Sequence, residues 1–372
     1  MTEPAPEVQW GVELDSRRRG FRQVLDGAGC DAGLVFGCDG HAQHFRYLTN
    51  FTPVLGDSWL LLAGELACFL TFPWQIVEAI GRSGIERWDA AINPIPLVVE
   101  ALRQARPKRL GVAGVERMPA PAWRALMEGL PGVDLVDVGA GLAKLRRRKS
   151  PLEVDRLRAA ARLTDSMLDA GRAGVHAGVS ESVLAARLST LALESGGACA
   201  FATTVVSGTE HPVPIRMPST RRFEPGDTVM IDLGAEVDGY QADASRTFVL
   251  GRPSLPQRKA WDVVLAAYEA AVALARPGVP CRDLHRAASG IIEAAGYKVA
   301  HRAGHGIGLA TSYEWPSLDT EEAPLEPGVT ICIEPGVYFP GAGNMKLEDD
   351  FLITESGCEA LTTSERGLEL TL

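Results

Sequence analysis

The sequence predicts an α+β chain of two domains, a smaller α/β domain over residues 1–145 and a larger one over residues 146–372. A length of 372 residues exceeds what one compact core of ordinary size holds. The first 145 residues alternate short strand patterns with helical ones, the signature of an α/β unit. Beyond residue 150, two helical stretches precede a hairpin, twice over, an order that reads as α+β and faintly as an internal duplication.

Residues 15–28 read as an amphipathic helix and 32–36 as a short buried strand. Residues 59–72 read as a hairpin turning at Gly64-Glu65. Residues 109–112 and 134–138 are further strands, separated by a helix-like stretch at 121–130. The run Arg146-Arg147-Arg148-Lys149 reads as a solvated linker. A new helix is signalled at Ser150-Pro151-Leu152-Glu153: serine caps, proline suits the first helical position, and Glu153 completes a capping box. That helix extends to about Ala170, and a second spans about 180–194 before Gly196-Gly197 stops it. Further helices are predicted at 257–275 and 281–295, and strands at 329–334 and 345–354.

Hydrophobic residues make up 46% of the chain and charged residues 23%, the balance of a soluble globular protein. The formal charge of −10 argues against nucleic-acid and anionic-membrane partners, which favour a basic surface. No apolar stretch reaches the ~18 residues of a membrane helix. The N-terminus shows no basic region leading into an apolar run, so no secretory signal is read there. Seven scattered cysteines, none in a close ligand pair, suit the reducing cytoplasm, and Cys332 reads as a packing residue.

The chemistry is concentrated downstream of residue 228. Asp232 and Asp243 flank an Asp238-Gly239 turn, the strongest short hairpin signal. With Val237 opposite Tyr240, Asp232 faces Ser245, and the two aspartates become diagonal neighbours on one face, roughly 7–8 Å apart at the backbone. Two such carboxylates repel unless a proton or a cation lies between them. Three further polar features follow: His305 within Gly304-His305-Gly306-Ile307-Gly308, Glu334 within Ile331-Cys-Ile-Glu334-Pro335-Gly336, and Glu348 within Met345-Lys-Leu-Glu348-Asp349-Asp350. The glycines around His305 are expected to leave its imidazole approachable. A glutamate inside a buried strand is costly without a partner. Four carboxylates neutralise two divalent ions, and an oxygen-rich set favours Mn²⁺ over a thiolate metal, with Co²⁺, Zn²⁺ or Fe²⁺ as alternatives.

These motifs, in this order, resemble those of the pita-bread metallohydrolases, the superfamily of aminopeptidase P, prolidase, methionine aminopeptidase and creatinase. The similarity covers about residues 146–365, and the preceding α/β domain looks like the creatinase-type N-terminal domain. The resemblance implies that Asp232, Asp243, His305, Glu334 and Glu348 are metal ligands, with Asp243 and Glu348 bridging two ions. It implies hydrolysis by a bridging hydroxide, with Glu334 as proton acceptor and donor. Tyr240, Arg246 and Thr247 would support the site, and a homodimer is implied, to which 44–50 and 57–59 are candidate contributors, with buried loop residues the favoured reading of both.

The chain departs from its relatives where substrate would bind. Counted from Ser207, the position of an upstream histidine in prolidases and aminopeptidases P holds Ile215, with His211 and Arg216 beside it. The position of a second histidine holds Tyr313, or Ser312 without a gap. Lys346 stands where the family often has arginine, which keeps the charge and loses the fork. His211, Arg216 and Tyr313 are therefore the candidate substrate contacts, Arg216 suiting a carboxylate. The expected function is an Xaa-Pro metallopeptidase acting on small peptides. The alternatives are a creatinase- or ectoine-hydrolase-like enzyme acting on a small amide-type C–N substrate, or a non-catalytic binding protein on the same fold.

Overall fold

The computed structural model describes residues 6–40, 42–311 and 314–371 and divides into two compact units, Met1–Arg146 and Arg147–Leu372. In the first unit the elements run α1 (Pro6–Gly27), β1 (Ala32–Gly37), α2 (Gln43–Thr49), β2 (Ser58–Ala63), β3 (Leu66–Thr71), α3 (Ile76–Ser83), β4 (Arg87–Ala90), α4 (Ile95–Ala105), β5 (Arg109–Ala113), α5 (Ala120–Gly129), β6 (Asp134–Asp137) and α6 (Gly139–Leu145). They form a mixed six-stranded sheet in the order β4-β3-β2-β1-β5-β6. The β2–β3 hairpin turns at Gly64-Glu65, where Ala63 pairs with Leu66. Its core is built from alternate residues such as Leu34, Phe36, Trp59 and Leu61, covered by Val98, Leu102 and Leu126.

Several local expectations change. The first helix starts at Pro6 rather than 15, and α3, β4 and α4 occupy a stretch for which the pattern gives no assignment. The segment 44–50 is the helix α2, with His44 to Thr49 all buried and Asn50 closing it in a left-handed conformation (φ 54°). Its side chains pack inside the unit. The basic run is not a solvated linker. Arg146 and Lys149 are buried, the Arg146 guanidinium meets His44 Nδ1 at 2.9 Å, and Arg147 stacks over the Trp315 ring at 4.3 Å.

The second unit continues with α7 (Pro151–Gly174), α8 (Glu181–Glu194), β7 (Ala198–Cys199), β8 (Thr204–Ser207), β9 (Thr228–Leu233), β10 (Ala235–Val237), β11 (Tyr240–Gln241) and β12 (Ala244–Leu250). The capping box at Ser150 and Glu153 is present. The chain then forms α9 (Leu255–Leu274), α10 (Cys281–Ala294), β13 (His305–Gly306), β14 (Glu314–Ser317), β15 (Thr330–Ile333), β16 (Gly336–Phe339), β17 (Gly343–Lys346), β18 (Asp349–Ile353), β19 (Cys358–Ala360) and β20 (Glu369–Leu370).

Two sheets carry the architecture, β20-β12-β9-β8 and β14-β13-β15-β18-β19. One core packs Met167, Leu168, Leu184 and Leu188 of α7 and α8 against Val205, Ile231 and Phe248. The other packs Val264, Ala267, Leu284 and Ile292 of α9 and α10 against Ile331, Ile333 and Phe351. This parallel use of helix pairs agrees with the duplicated element order. The sheets meet where Ser245 and Glu348 exchange backbone hydrogen bonds of 3.3 and 3.1 Å. The expected strand 345–354 is therefore two strands. β17 pairs with β16, and β18 pairs with β15 and β19, with the chain crossing between them at Leu347-Glu348. Both halves are buried, so burial runs unbroken across the crossing although Lys346, Glu348, Asp349 and Asp350 are charged residues.

Candidate metal centre

The hairpin between the two aspartates is built as its sequence requires. Asp238 and Gly239 both take positive φ (48° and 77°), the requirement of a tight hairpin turn matched to strand twist. Val237 pairs with Tyr240 and Asp232 with Ser245, which places Asp232 and Asp243 diagonally on one face. Gly234 lies between β9 and β10 because a Cβ there would collide with the Ala242 carbonyl oxygen. Both aspartates are 6% exposed. The Asp243 backbone N–H donates to Asp350 Oδ2 at 2.8 Å, so a second buried carboxylate fixes the ligand strand.

His305 and Glu334 come from neighbouring strands of the other sheet. Gly304 and Gly306 do not leave the imidazole open; His305 is only 3% exposed. They allow close backbone approach, since a Cβ at Gly304 would meet the Cys332 carbonyl and one at Gly306 the Trp315 carbonyl. His305 Nδ1 lies 3.0 Å from the Gly306 carbonyl oxygen, which accepts its proton and turns the lone pair of Nε2 inward. Nε2 stands 3.6 Å from Asp243 Oδ2 and 3.6 Å from Glu334 Oε1. The Glu334 backbone is held by a 2.8 Å bond to the Ala303 carbonyl.

Lys346 joins the remaining groups. Its ammonium lies 2.7 Å from Asp232 Oδ2, 2.9 Å from Glu348 Oε2 and 3.0 Å from Glu334 Oε2, and the residue is buried. Thr247 Oγ1 fixes the Lys346 backbone on both sides, accepting from its N–H at 3.0 Å and donating to its carbonyl at 2.9 Å. Together with the lysine, the five residues read from the sequence form one continuous buried cluster. Burial, and then Glu348 and Asp232, push the Asp243 carboxyl well above its ordinary range. Burial raises Glu348 to about 8 against the pull of Lys346. Burial would also raise Glu334, but Lys346, His305 and His301 hold it at about 2. Burial lowers His305, keeping the imidazole neutral and suited to ligation.

The donor set fits a divalent cation. Asp243 Oδ1 is buried without a hydrogen-bond donor, and Glu348 Oε2 has only the 2.9 Å ion-pair contact to the lysine ammonium. Such orphaned carboxylate oxygens are expensive in a dry interior, and a cation satisfies them. Ligand atoms of Asp243, His305, Cys332 and Glu348 lie within 4.8 Å of one another. The Cys332 thiol, pushed well up by burial and the surrounding carboxylates, stays protonated and is a poor ligand beside them.

The candidate substrate contacts are placed differently. Arg216 does not present an open fork, because both its terminal nitrogens bind the Glu181 carboxylate at 2.6 and 2.7 Å. His211 is exposed on the same loop, and Ile215 is 70% exposed. Tyr313 and Ser312 lie outside the described residues. Tyr240 donates to Glu153 of the α7 capping box at 3.2 Å, whereas Arg246 binds the Glu348 carbonyl at 2.7 Å and Asp349 at 2.6 Å and so braces the Glu348 strand. Sequence reasoning missed Glu181, Asp349 and Asp350 as partners. Strand alternation was the available signal for two of them. Glu348 and Asp350 share a face, while Asp349 points to the opposite one and meets Arg246 and Tyr268.

Against known proteins, the model of metallopeptidase family M24 matches residues 155–355, more than half of the chain. The chain belongs to metallopeptidase family M24. An Xaa-Pro dipeptidase of Pyrococcus furiosus is 37% identical over 228 residues, covering 60% of this chain and 65% of that protein, a little under two thirds of its length. A putative dipeptidase of Bacillus subtilis is 34% identical over 282 residues, covering 74% of this chain and 77% of that protein. The prolidase structure from Pyrococcus horikoshii superimposes with a TM-score of 0.87 at 29% identity, covering 95% of this chain and 99% of that one. An Xaa-Pro dipeptidase from Bacillus anthracis gives 0.87 at 27% identity, covering 96% and 100%. This M24 chain thus has a pita-bread unit preceded by an α/β unit, and the family implies divalent metal ions.

Proposed function

We propose that this M24 protein hydrolyses Xaa-Pro peptides, most simply dipeptides, with divalent ions held by Asp232, Asp243, His305, Glu334 and Glu348, and with manganese as the preferred metal. The observation that carries this reading is the buried carboxylate cluster, in which Asp243 Oδ1 has no hydrogen-bond donor and one ammonium is the counter-charge to three of the four carboxylates. The names of the dipeptidase relatives support the substrate class. A divalent ion held by these residues would supply Lewis acidity, lowering the pKa of water and polarising the scissile carbonyl. Glu334, beside both His305 and Lys346, accepts the proton of the attacking water and returns it to the departing proline nitrogen. His305 keeps Nε2 unprotonated through its Nδ1 contact to Gly306.

The substrate carboxylate needs a partner other than Arg216, which Glu181 occupies. Ile215 has no donor at the position where relatives carry histidine, and this favours a second reading, hydrolysis of a small amide-type C–N substrate. One experiment separates the two. Purified protein is stripped of metal, reloaded with Mn²⁺, Co²⁺, Zn²⁺ or Fe²⁺, and assayed for proline release from an Xaa-Pro dipeptide panel beside small non-peptide amides. Proline release highest with Mn²⁺ supports the proposal; a metal-loaded protein idle on every Xaa-Pro peptide overturns it. A cytoplasmic homodimer accompanies this reading. Seven free thiols suit a reducing compartment, and light scattering tests the dimer.

A further inference from the structure

The backbone leading into β13 delivers one proposed ion ligand and anchors another. Ala303 is buried, and its carbonyl oxygen accepts the Glu334 backbone N–H at 2.8 Å. The Gly304 carbonyl accepts from the Leu318 N–H at 3.1 Å, and a Cβ at Gly304 would collide with the Cys332 carbonyl, so the segment is tightly enclosed. The Ala303 N–H is satisfied by a side chain from outside the site. It donates to Nδ1 of His285, a half-buried residue of α10, at 3.1 Å. A ring nitrogen that accepts carries no proton, so His285 is neutral with its proton on Nε2. Ser289 Oγ lies beside the ring, 3.2 and 3.3 Å from its two nitrogens.

We propose that His285 is a positioning residue: its neutral ring holds the Ala303 amide, and its protonation releases the segment that carries His305 and anchors Glu334. A protonated ring presents an N–H at Nδ1 to the Ala303 N–H. Donor then faces donor, and a buried amide loses its acceptor. The charged groups facing the ring are Glu293 on α10 and Asp319 in the turn after β14, the latter held by Ser317 and facing Arg302. Both carboxylates favour the charged ring, yet burial outweighs them and lowers its pKa below the ordinary imidazole value. The contact is therefore intact at neutral pH and opens only in acid. The inference rests on the proposed function for the ions, whereas the His285 contact can be read without them.

The test compares wild type with His285→Asn, whose Oδ1 can accept where Nδ1 does at every pH, and with His285→Leu, which cannot accept. Amide hydrogen exchange of residues 301–304 in metal-free protein, Mn²⁺ affinity by calorimetry, and kcat/KM on Xaa-Pro dipeptides are followed from about pH 8 to about pH 5, across the imidazole range. At the alkaline end His285→Leu should lose about tenfold in Mn²⁺ affinity, the effect typical of groups that orient metal ligands, while His285→Asn stays within about twofold of wild type. Exchange at Ala303 should quicken in His285→Leu alone. As pH falls, wild type should approach His285→Leu, and His285→Asn should not. The ion ligands titrate alike in wild type and His285→Asn and cancel in their ratio. A ratio constant across this range, or His285→Leu matching wild type at the alkaline end, overturns the inference. Failure to release proline overturns the proposed function alone, because exchange in metal-free protein still reads the Ala303 contact. The comparison of wild type with His285→Asn decides even if His285→Leu fails to fold.

Discussion

Two clusters of buried charge in the second unit differ in how their carboxylates are partnered. Glu181, fully buried, accepts hydrogen bonds from Ser207 N and Oγ, Ser219 N and Oγ, and both terminal nitrogens of Arg216, all between 2.6 and 2.8 Å. In the other cluster one ammonium contacts three of the four carboxylates, and Asp243 Oδ1 has no donor. Both are equally hidden from water, so burial does not separate a structural group from a site. Donor supply does. A saturated carboxylate stabilises the fold, whereas an under-donated one holds unfavourable energy that a proton or a cation relieves.

The sharpest way to break this comparison is to neutralise one member of each cluster. Asp243→Asn is expected to lower kcat/KM by more than the ~10–100-fold typical of groups that merely support metal ligands. It should also abolish the thermal stabilisation that Mn²⁺ gives the wild type. Without metal its melting temperature should hold or rise, because one of several repelling carboxylates is gone. A metal-free Asp243→Asn that melts well below the wild type would show that the cluster is structural.

Glu181→Gln should do the reverse, leaving metal content unchanged and lowering stability. Burial alone would raise Glu181, but Arg216, Ser207 and Ser219 hold it at about 2 instead of 4.5. The fold therefore binds the charged form more strongly than the unfolded chain does, an advantage of about 3 kcal/mol at neutral pH. Since the folded pKa lies below the unfolded one, this contribution is complete above about pH 5 and disappears as pH falls toward 2. Urea midpoints of wild type and Glu181→Gln, compared from pH 7 to pH 3, should converge with acidification. A gap independent of pH would mean that shape, not charge, stabilises this pair.

How much of this was legible in the sequence depends on distance along the chain. The hairpin register, the capping box at Ser150 and the helix pairs rest on neighbours within a few residues, and the structure has them. The five sequence-read ligand positions converge because the fold brings four distant strand segments together; motif order pointed there, while local pattern carried no distances. Arg216 shows the limit. Its type and position suited a substrate carboxylate, but Glu181, 35 residues upstream on a different element, engages it first. The break at Leu347-Glu348 was also missed: both flanking strands are buried, and the charged run Lys346, Glu348, Asp349 and Asp350 at the handover reads only as chemistry within one strand.

The smallest effect expected is also the most local test of donor supply. Asp349, adjacent to Glu348 but on the opposite face of the strand, accepts from Arg246, Thr362, Tyr268 and Arg366 at 2.6 to 3.0 Å. Tyr268→Phe removes one donor of several, at 2.7 Å, and leaves the ring and its packing in place. Oδ2 keeps the Arg366 guanidinium, so the loss should be about 1.5 kcal/mol, the low end for a hydrogen bond to a charged group. Metal affinity and kcat/KM should stay within about twofold of wild type, because the strand backbone that carries Glu348 is held independently by Ser245 and Arg246. If Mn²⁺ affinity instead drops tenfold, the saturated cluster and the under-donated one are coupled through the Glu348-Asp349 peptide. Asp349 would then count as part of the machinery that aims Glu348.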